Sequence, residues 1–227
     1  MGQMIDFRSN GGTAQGYLAI PESGSGPGVV VIQEWWGLND QIREVCDAWA
    51  ADGFVTLAPD LYHGVVTKEP DEAGKLLMSL NMEQAAKDMV GAVDALAAND
   101  AVSSDGVGVV GFCAGGALAL WLATLRPEKV RAVAPFYGII GFPAATPDWS
   151  KLSGPVQGHY AENDDYANPP AVAAFADELR ALGKNVEIFT YPGTEHAFTN
   201  HQRPEVYAPD ATKQAFDRTK SFLRANL

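Results

Sequence analysis

The sequence predicts an α/β fold: a mostly parallel central sheet with helices on both faces. Three observations point there. Continuous β-branched runs such as Val29-Val30-Val31-Ile32 have the composition of strands buried on both faces. Such runs alternate with helical patterns of about 10–15 residues, as in parallel strands joined by crossover helices. Apolar residues make up 47% of the 227, enough for one large core and short for two, so residues 1–227 read as a single domain.

The elements follow in order. Residues 4–20 read as two short strands around Asn10-Gly11-Gly12, a hairpin signal. Val29 to Ile32 is the first buried strand, and Gln33-Glu34-Trp35-Trp36-Gly37-Leu38-Asn39 is the loop at its carboxyl end. Asp40 caps a helix to about Ala51. Val55 to Ala58 is the next strand, stopped by Pro59-Asp60, and an irregular segment runs from Leu61 to Pro70. Helical patterns cover Asp71–Leu80 and Met82–Ala98, the second with Ala86, Met89, Val90, Val93 and Leu96 on one face. Strands follow at Val107–Phe112, Val130–Phe136, Val156–Tyr160 and Val186–Tyr191. Between and after them lie helices at 113–125, Pro170–Leu182 and Asp210–Ala225, and a Gly-, Pro- and aromatic-rich loop over 139–154.

The formal net charge of −12 argues against nucleic acid and against anionic membrane surfaces as partners. Two cysteines, Cys46 and Cys113, make no disulfide framework. No signal-peptide pattern opens the chain and no apolar stretch reaches a membrane span, so a cytoplasmic location is the expectation. No metal-ligand spacing and no glycine-rich phosphate loop appears, so neither a metal nor a cofactor is expected. The sequence assigns no oligomeric state.

The stretch with the most chemistry is Val107-Gly108-Val109-Val110-Gly111-Phe112-Cys113-Ala114-Gly115-Gly116. An apolar strand, a sharp turn and a helix form the G-x-S-x-G nucleophile elbow of α/β-hydrolases, with Cys in place of Ser. The glycines relieve crowding at the turn, and the new helix aims its positive end at Cys113, favouring a thiolate. A thiol nucleophile needs a base, and the base needs an orienting acceptor. Cys113, then Asp164, then His196 keep the chain order nucleophile, acid, histidine of that fold. Asp165 is the neighbouring alternative for the acid. Glu34, at the end of a wholly apolar strand, is either a desolvated carboxylate able to accept a proton or a paired loop residue. All four groups fall at carboxyl ends of strands, where sites form in open α/β sheets.

Taken together, Gln33-Glu34 with Gly37, Pro59-Asp60-Leu61-Tyr62, Gly111 to Gly116, the Asp164 loop and Gly193 to Phe198 resemble the dienelactone hydrolase (carboxymethylenebutenolidase) family. The resemblance spans about residues 13–225. It implies an α/β-hydrolase fold and a hydrolase of lactones or carboxylic esters with a Cys113-His196-Asp164 triad. In the family a glutamate matching Glu34 interacts with the resting thiol and helps generate the thiolate. The implied oxyanion hole is the backbone N–H of Ala114 and of Trp35. One departure matters. The family's type enzymes hold a substrate carboxylate with two arginines, one after the Asp-Leu-Tyr motif and one four residues beyond the histidine. Here residues 64–80 offer only Lys68 and Lys75, position 200 is Asn200, and Arg203 is off register. The expected partner is therefore a small ester or lactone, with a general short-chain or aryl ester hydrolase as the alternative and a non-catalytic binding protein as the remote one. Trp36, Tyr62, His63, Phe142, Trp149 and Phe198 are the candidate substrate contacts.

Overall fold

The structure is a computed structural model that describes residues 1–139 and 141–227. Its frame is one mixed sheet of strands β1 (Gln3–Ser9), β2 (Gly12–Ala19), β3 (Gly26–Ile32), β4 (Val55–Pro59), β5 (Val102–Phe112), β6 (Val130–Phe136), β7 (Val156–Asn163) and β8 (Val186–Glu195). Their spatial order is β1-β2-β4-β3-β5-β6-β7-β8. From β4 to β8 all neighbours run parallel, while β1 and β2 are antiparallel to their neighbours at one edge. The helices are α1 (Asp40–Ala51), α2 (Pro70–Ser79), α3 (Met82–Ala97), α4 (Ala114–Leu125), α5 (Pro169–Ala181) and α6 (Pro209–Asn226). This is the α/β-hydrolase arrangement. Among the described residues no helix is long and apolar enough to cross a membrane.

Alternation along the strands builds two cores. Val30, Ile32, Val107 and Val109 pack with Met89 and Val93 of α3 and Leu118 and Leu122 of α4. Val29, Val31, Val110 and Phe112 pack on the other face with Ile42 and Trp49 of α1 and Ala215 and Leu223 of α6. Residues of both parities are buried because helices cover both faces, which is why the central strands read as unbroken apolar runs.

Several boundaries differ from the sequence reading, each for a physical reason. Asn39, not Asp40, caps α1: its side chain accepts the Ile42 N–H at 3.1 Å, and Asp40 sits in the first turn, where its charge suits the helix dipole. Strand β5 starts at Val102 rather than Val107, because its polar lead-in, Ser103 to Gly106, joins β3 through a register shift and does not alternate cleanly. Strand β8 runs to Glu195 through Pro192-Gly193, which an edge strand tolerates. The loop expected over 139–154 contains a short 3-10 turn at Trp149–Lys151, and its residue 140 lies outside the described residues.

Candidate active site

Strands β3, β5, β6, β7 and β8 deliver their carboxyl ends to one rim of the sheet. Cys113 follows β5 at the tip of the turn into α4, with φ 54° and ψ −123°. A side-chain-bearing residue at positive φ is strained, at a cost of roughly 1–3 kcal/mol, and persists only when its surroundings hold it. The holding is visible: a Cβ on Gly111 would overlap the Gly115 carbonyl, and one on Gly115 would overlap the backbone of Ile32 and Gln33. Only glycine lets α4 start this close to β3 and β5. Ala114 opens α4, so its N–H is among those a helix leaves without an internal acceptor, and it lines the same cavity as Trp35 and Cys113.

Strands β7 and β8 bring the acid and the base together by register. Asn163 pairs with Glu195 in the last rung, so Asp164 and His196 leave the sheet side by side. His196 Nδ1 and Asp164 Oδ2 are 2.8 Å apart. Asp164 Oδ1 accepts the N–H groups of Tyr166 and Ala167 at 2.8 and 2.9 Å. Burial opposes the Asp164 charge, but His196 and these two N–H donors outweigh it and hold the carboxyl below its ordinary range. Burial likewise opposes charge on His196. The Asp164 hydrogen bond and the neighbouring Cys113 prevail, and the imidazolium is pushed up to about 10. With Nδ1 engaged by Asp164, Nε2 is the nitrogen left for the sulfur. Asp165 lines the cavity but is exposed, and it does not reach His196.

Glu34 is 2% exposed. Tyr137 donates its hydroxyl to Oε1 at 3.1 Å, and Asn200 donates Nδ2 to Oε2 at 2.8 Å. Among the described residues no hydrogen bond joins Glu34 to Cys113, so the thiol contact expected of a resting state is replaced here by Tyr137 and Asn200. Burial pushes the Glu34 carboxyl above its ordinary range, against the pull of Asn200, His196 and Tyr137.

A cavity of about 930 Å³ opens on these groups. It is lined by Glu34, Cys113 and His196 together with Trp36, Leu77, Ile139, Phe142 and Tyr166. Trp36 and Phe142 are thus on the cavity wall, whereas four other candidates stand elsewhere. His63 is drawn to the buried Asp88 carboxylate, 3.3 Å away. Trp149 packs on Phe175 of α5, ring centroids 5.8 Å apart, along a second, smaller cavity. Phe198 is fully buried behind Tyr137 and Tyr191. Tyr62 is a core residue and is not on the cavity wall. The sequence reading missed Tyr137 and Tyr166. Tyr137 directly follows β6 beside the other site-bearing strand ends, which was a usable signal. Tyr166 lies with its ring centroid 5.1 Å from that of His196, and only the folded loop reveals it.

Residues 14–227 match the dienelactone hydrolase family. A chain called Protein usf, from Aquifex pyrophilus, is 38% identical over 234 residues and covers 100% of both chains. A chain of Aquifex aeolicus (strain VF5) carrying the provisional name carboxymethylenebutenolidase is 35% identical over 233 residues, again with 100% of both covered. Among solved structures, a provisionally named dienelactone hydrolase from Klebsiella pneumoniae subsp. pneumoniae MGH 78578 superposes with a TM-score of 0.88. It is 25% identical, covering 99% of this chain and 98% of that one.

Proposed function

The chain belongs to the dienelactone hydrolase family and is a hydrolase acting on esters or lactones; from that premise we propose that it works through a thioester on Cys113. Cys113 Sγ gives its proton to His196 and attacks the substrate carbonyl carbon. The carbonyl electron pair moves onto oxygen, which the N–H groups of Ala114 and Trp35 and the positive end of α4 stabilise. Collapse breaks the C–O bond, and the departing oxygen takes the proton from His196. In an ester the alcohol leaves; in a lactone it stays tethered as the opened chain. Water then loses a proton to His196 and adds to the thioester, and the acid departs as the thiol re-forms. Asp164 keeps the imidazole oriented and stabilises its charged form. One observation carries the reading: a strained cysteine at a helix N-terminus shares a cavity with a histidine whose far nitrogen is 2.8 Å from a buried carboxylate.

The substrate we propose is an uncharged ester or lactone with an apolar or aryl part. Trp36, Leu77, Ile139 and Phe142 supply apolar wall. The cations on the wall are Lys68 and Arg203, and Arg203 is already paired with Glu205 at 2.8 Å. Asp165, Glu195 and Glu205 line the same space, so a substrate carboxylate meets more negative than positive charge. The test is a panel of neutral aryl esters, neutral lactones and carboxylated lactones, run on the wild type and on Cys113→Ala. Turnover of the neutral compounds that vanishes in Cys113→Ala supports the reading. Unimpaired turnover by Cys113→Ala ends it.

A further inference from the structure

Among the described residues that line the cavity with a carboxylate, Glu34 is the buried one, while Asp165, Glu195 and Glu205 are exposed. A carboxylate removed from water needs donors, and Glu34 has one on each oxygen. Both donors are themselves fixed. Tyr137 sits just past β6 at φ 38°, a left-handed backbone that an aromatic residue rarely adopts. Its N–H donates to the His159 carbonyl at 2.7 Å, and its hydroxyl also meets Thr199 Oγ1 at 2.7 Å. Asn200 belongs to the turn that leaves His196: its N–H donates to the Ala197 carbonyl at 2.9 Å, and its Oδ1 accepts the Gln202 N–H at 3.0 Å. Strain of this kind persists where surrounding contacts over-determine it, and at Tyr137 those contacts are the His159 carbonyl, Thr199 and the Glu34 carboxylate.

We infer that Tyr137 and Asn200 are positioning residues that clamp Glu34 by both oxygens and favour its ionised form, on the cavity wall it shares with Cys113. The clamp ties three strand ends together, β3 through Glu34, β6 through Tyr137 and β8 through the turn after His196. It fixes the orientation of a carboxylate on the cavity wall that Cys113 also lines. It also gives Asn200 an internal task, since its amide is committed to Glu34 rather than to a substrate carboxylate. The inference rests on the Cys113 mechanism for its consequence in catalysis, but the clamp itself has a readout that does not.

That readout is the titration of the Glu34 carboxyl, followed by infrared difference spectroscopy and identified as the band lost in Glu34→Gln. Tyr137→Phe and Asn200→Ala each remove one donor to the anion, so each moves the titration to higher pH, by roughly one to two units. The acid limb of kcat/KM moves with it. In a Glu34→Gln background the same substitutions leave kcat/KM where Glu34→Gln alone puts it. Thermal unfolding checks that the variants are folded; Tyr137→Phe keeps the ring and carries the test if Asn200→Ala is not. A titration unmoved by Tyr137→Phe, or a rate loss of equal size with and without Glu34, overturns the clamp. If Cys113→Ala retains activity, the mechanism fails and the infrared titration still decides the clamp.

Discussion

Asn163 and Glu195 face each other across the last rung between β7 and β8, and the residue after each, Asp164 and His196, makes the 2.8 Å contact on which the proposed chemistry turns. The pair is set by strand register rather than by any local motif. A one-residue slip would turn Asp164 away and present Asp165.

The first prediction follows from that register. His196→Ala lowers kcat by a factor on the order of a thousand or more, as loss of a triad base does elsewhere. Asp164→Asn lowers kcat by up to about 10⁴, far more than Asp165→Asn does, because of the two only Asp164 reaches His196. Steady-state kinetics of the three variants checks this, and a larger loss in Asp165→Asn moves the acid by one residue.

A second prediction concerns stability. His159 is buried between Tyr191 and Thr219, 2.8 Å from each hydroxyl, and stacks on Phe136. Burial, with the Arg218 charge beside it, pushes its pKa down from 6.5 to about 3. The native protein therefore stays neutral at His159 where the unfolded chain takes up a proton. This contribution is whole above about pH 6.5 and is lost as pH falls toward 3, at about 1.4 kcal/mol per pH unit. Urea unfolding at pH 7, 6, 5 and 4 measures it. His159→Phe is less stable at pH 7, since two hydroxyls lose a partner, but its stability declines less steeply with acid. Equal slopes contradict the account.

The fold and the nucleophile elbow were legible in the sequence because both are written in local terms, whereas the choice of Asp164 over Asp165 waits on the register of β7 and β8. Buried parallel strands leave unbroken β-branched runs, and the elbow needs glycine at Gly111 and Gly115 whatever surrounds it. The strand-end positions of Glu34, Cys113, Asp164 and His196 followed from the element order. The cavity wall was not legible, since it depends on which side of a loop faces inward. His63 turns to Asp88, Trp149 to Phe175 and Phe198 to the core, each drawn by a partner distant in sequence. The place of Tyr137 after a strand end is readable, but its positive φ and its bond to Glu34, far earlier in the chain, are not.

The third prediction uses those placements. Phe142 lines the cavity with Cys113, whereas Trp149 lies on the separate one. Phe142→Ala raises KM for aryl esters several-fold, about the effect of losing one apolar contact of 1–2 kcal/mol. Trp149→Ala leaves KM for the same esters unchanged, whatever it does to the melting temperature. A rise in KM confined to Trp149→Ala would show that the smaller cavity is the one substrate enters.

The central claim is that Cys113 is the nucleophile, and site-resolved alkylation tests it most directly. The chain holds two cysteines that differ sharply: Cys113 is half-buried on the cavity wall, while Cys46 is fully buried and its thiol is pushed up to about 12 by desolvation. Iodoacetamide near neutral pH is expected to label Cys113 alone, with esterase activity falling in step with the labelled fraction and substrate slowing both. Peptide mass mapping alongside the activity assay reads the two quantities together. Full activity in protein whose Cys113 is completely alkylated would contradict the account.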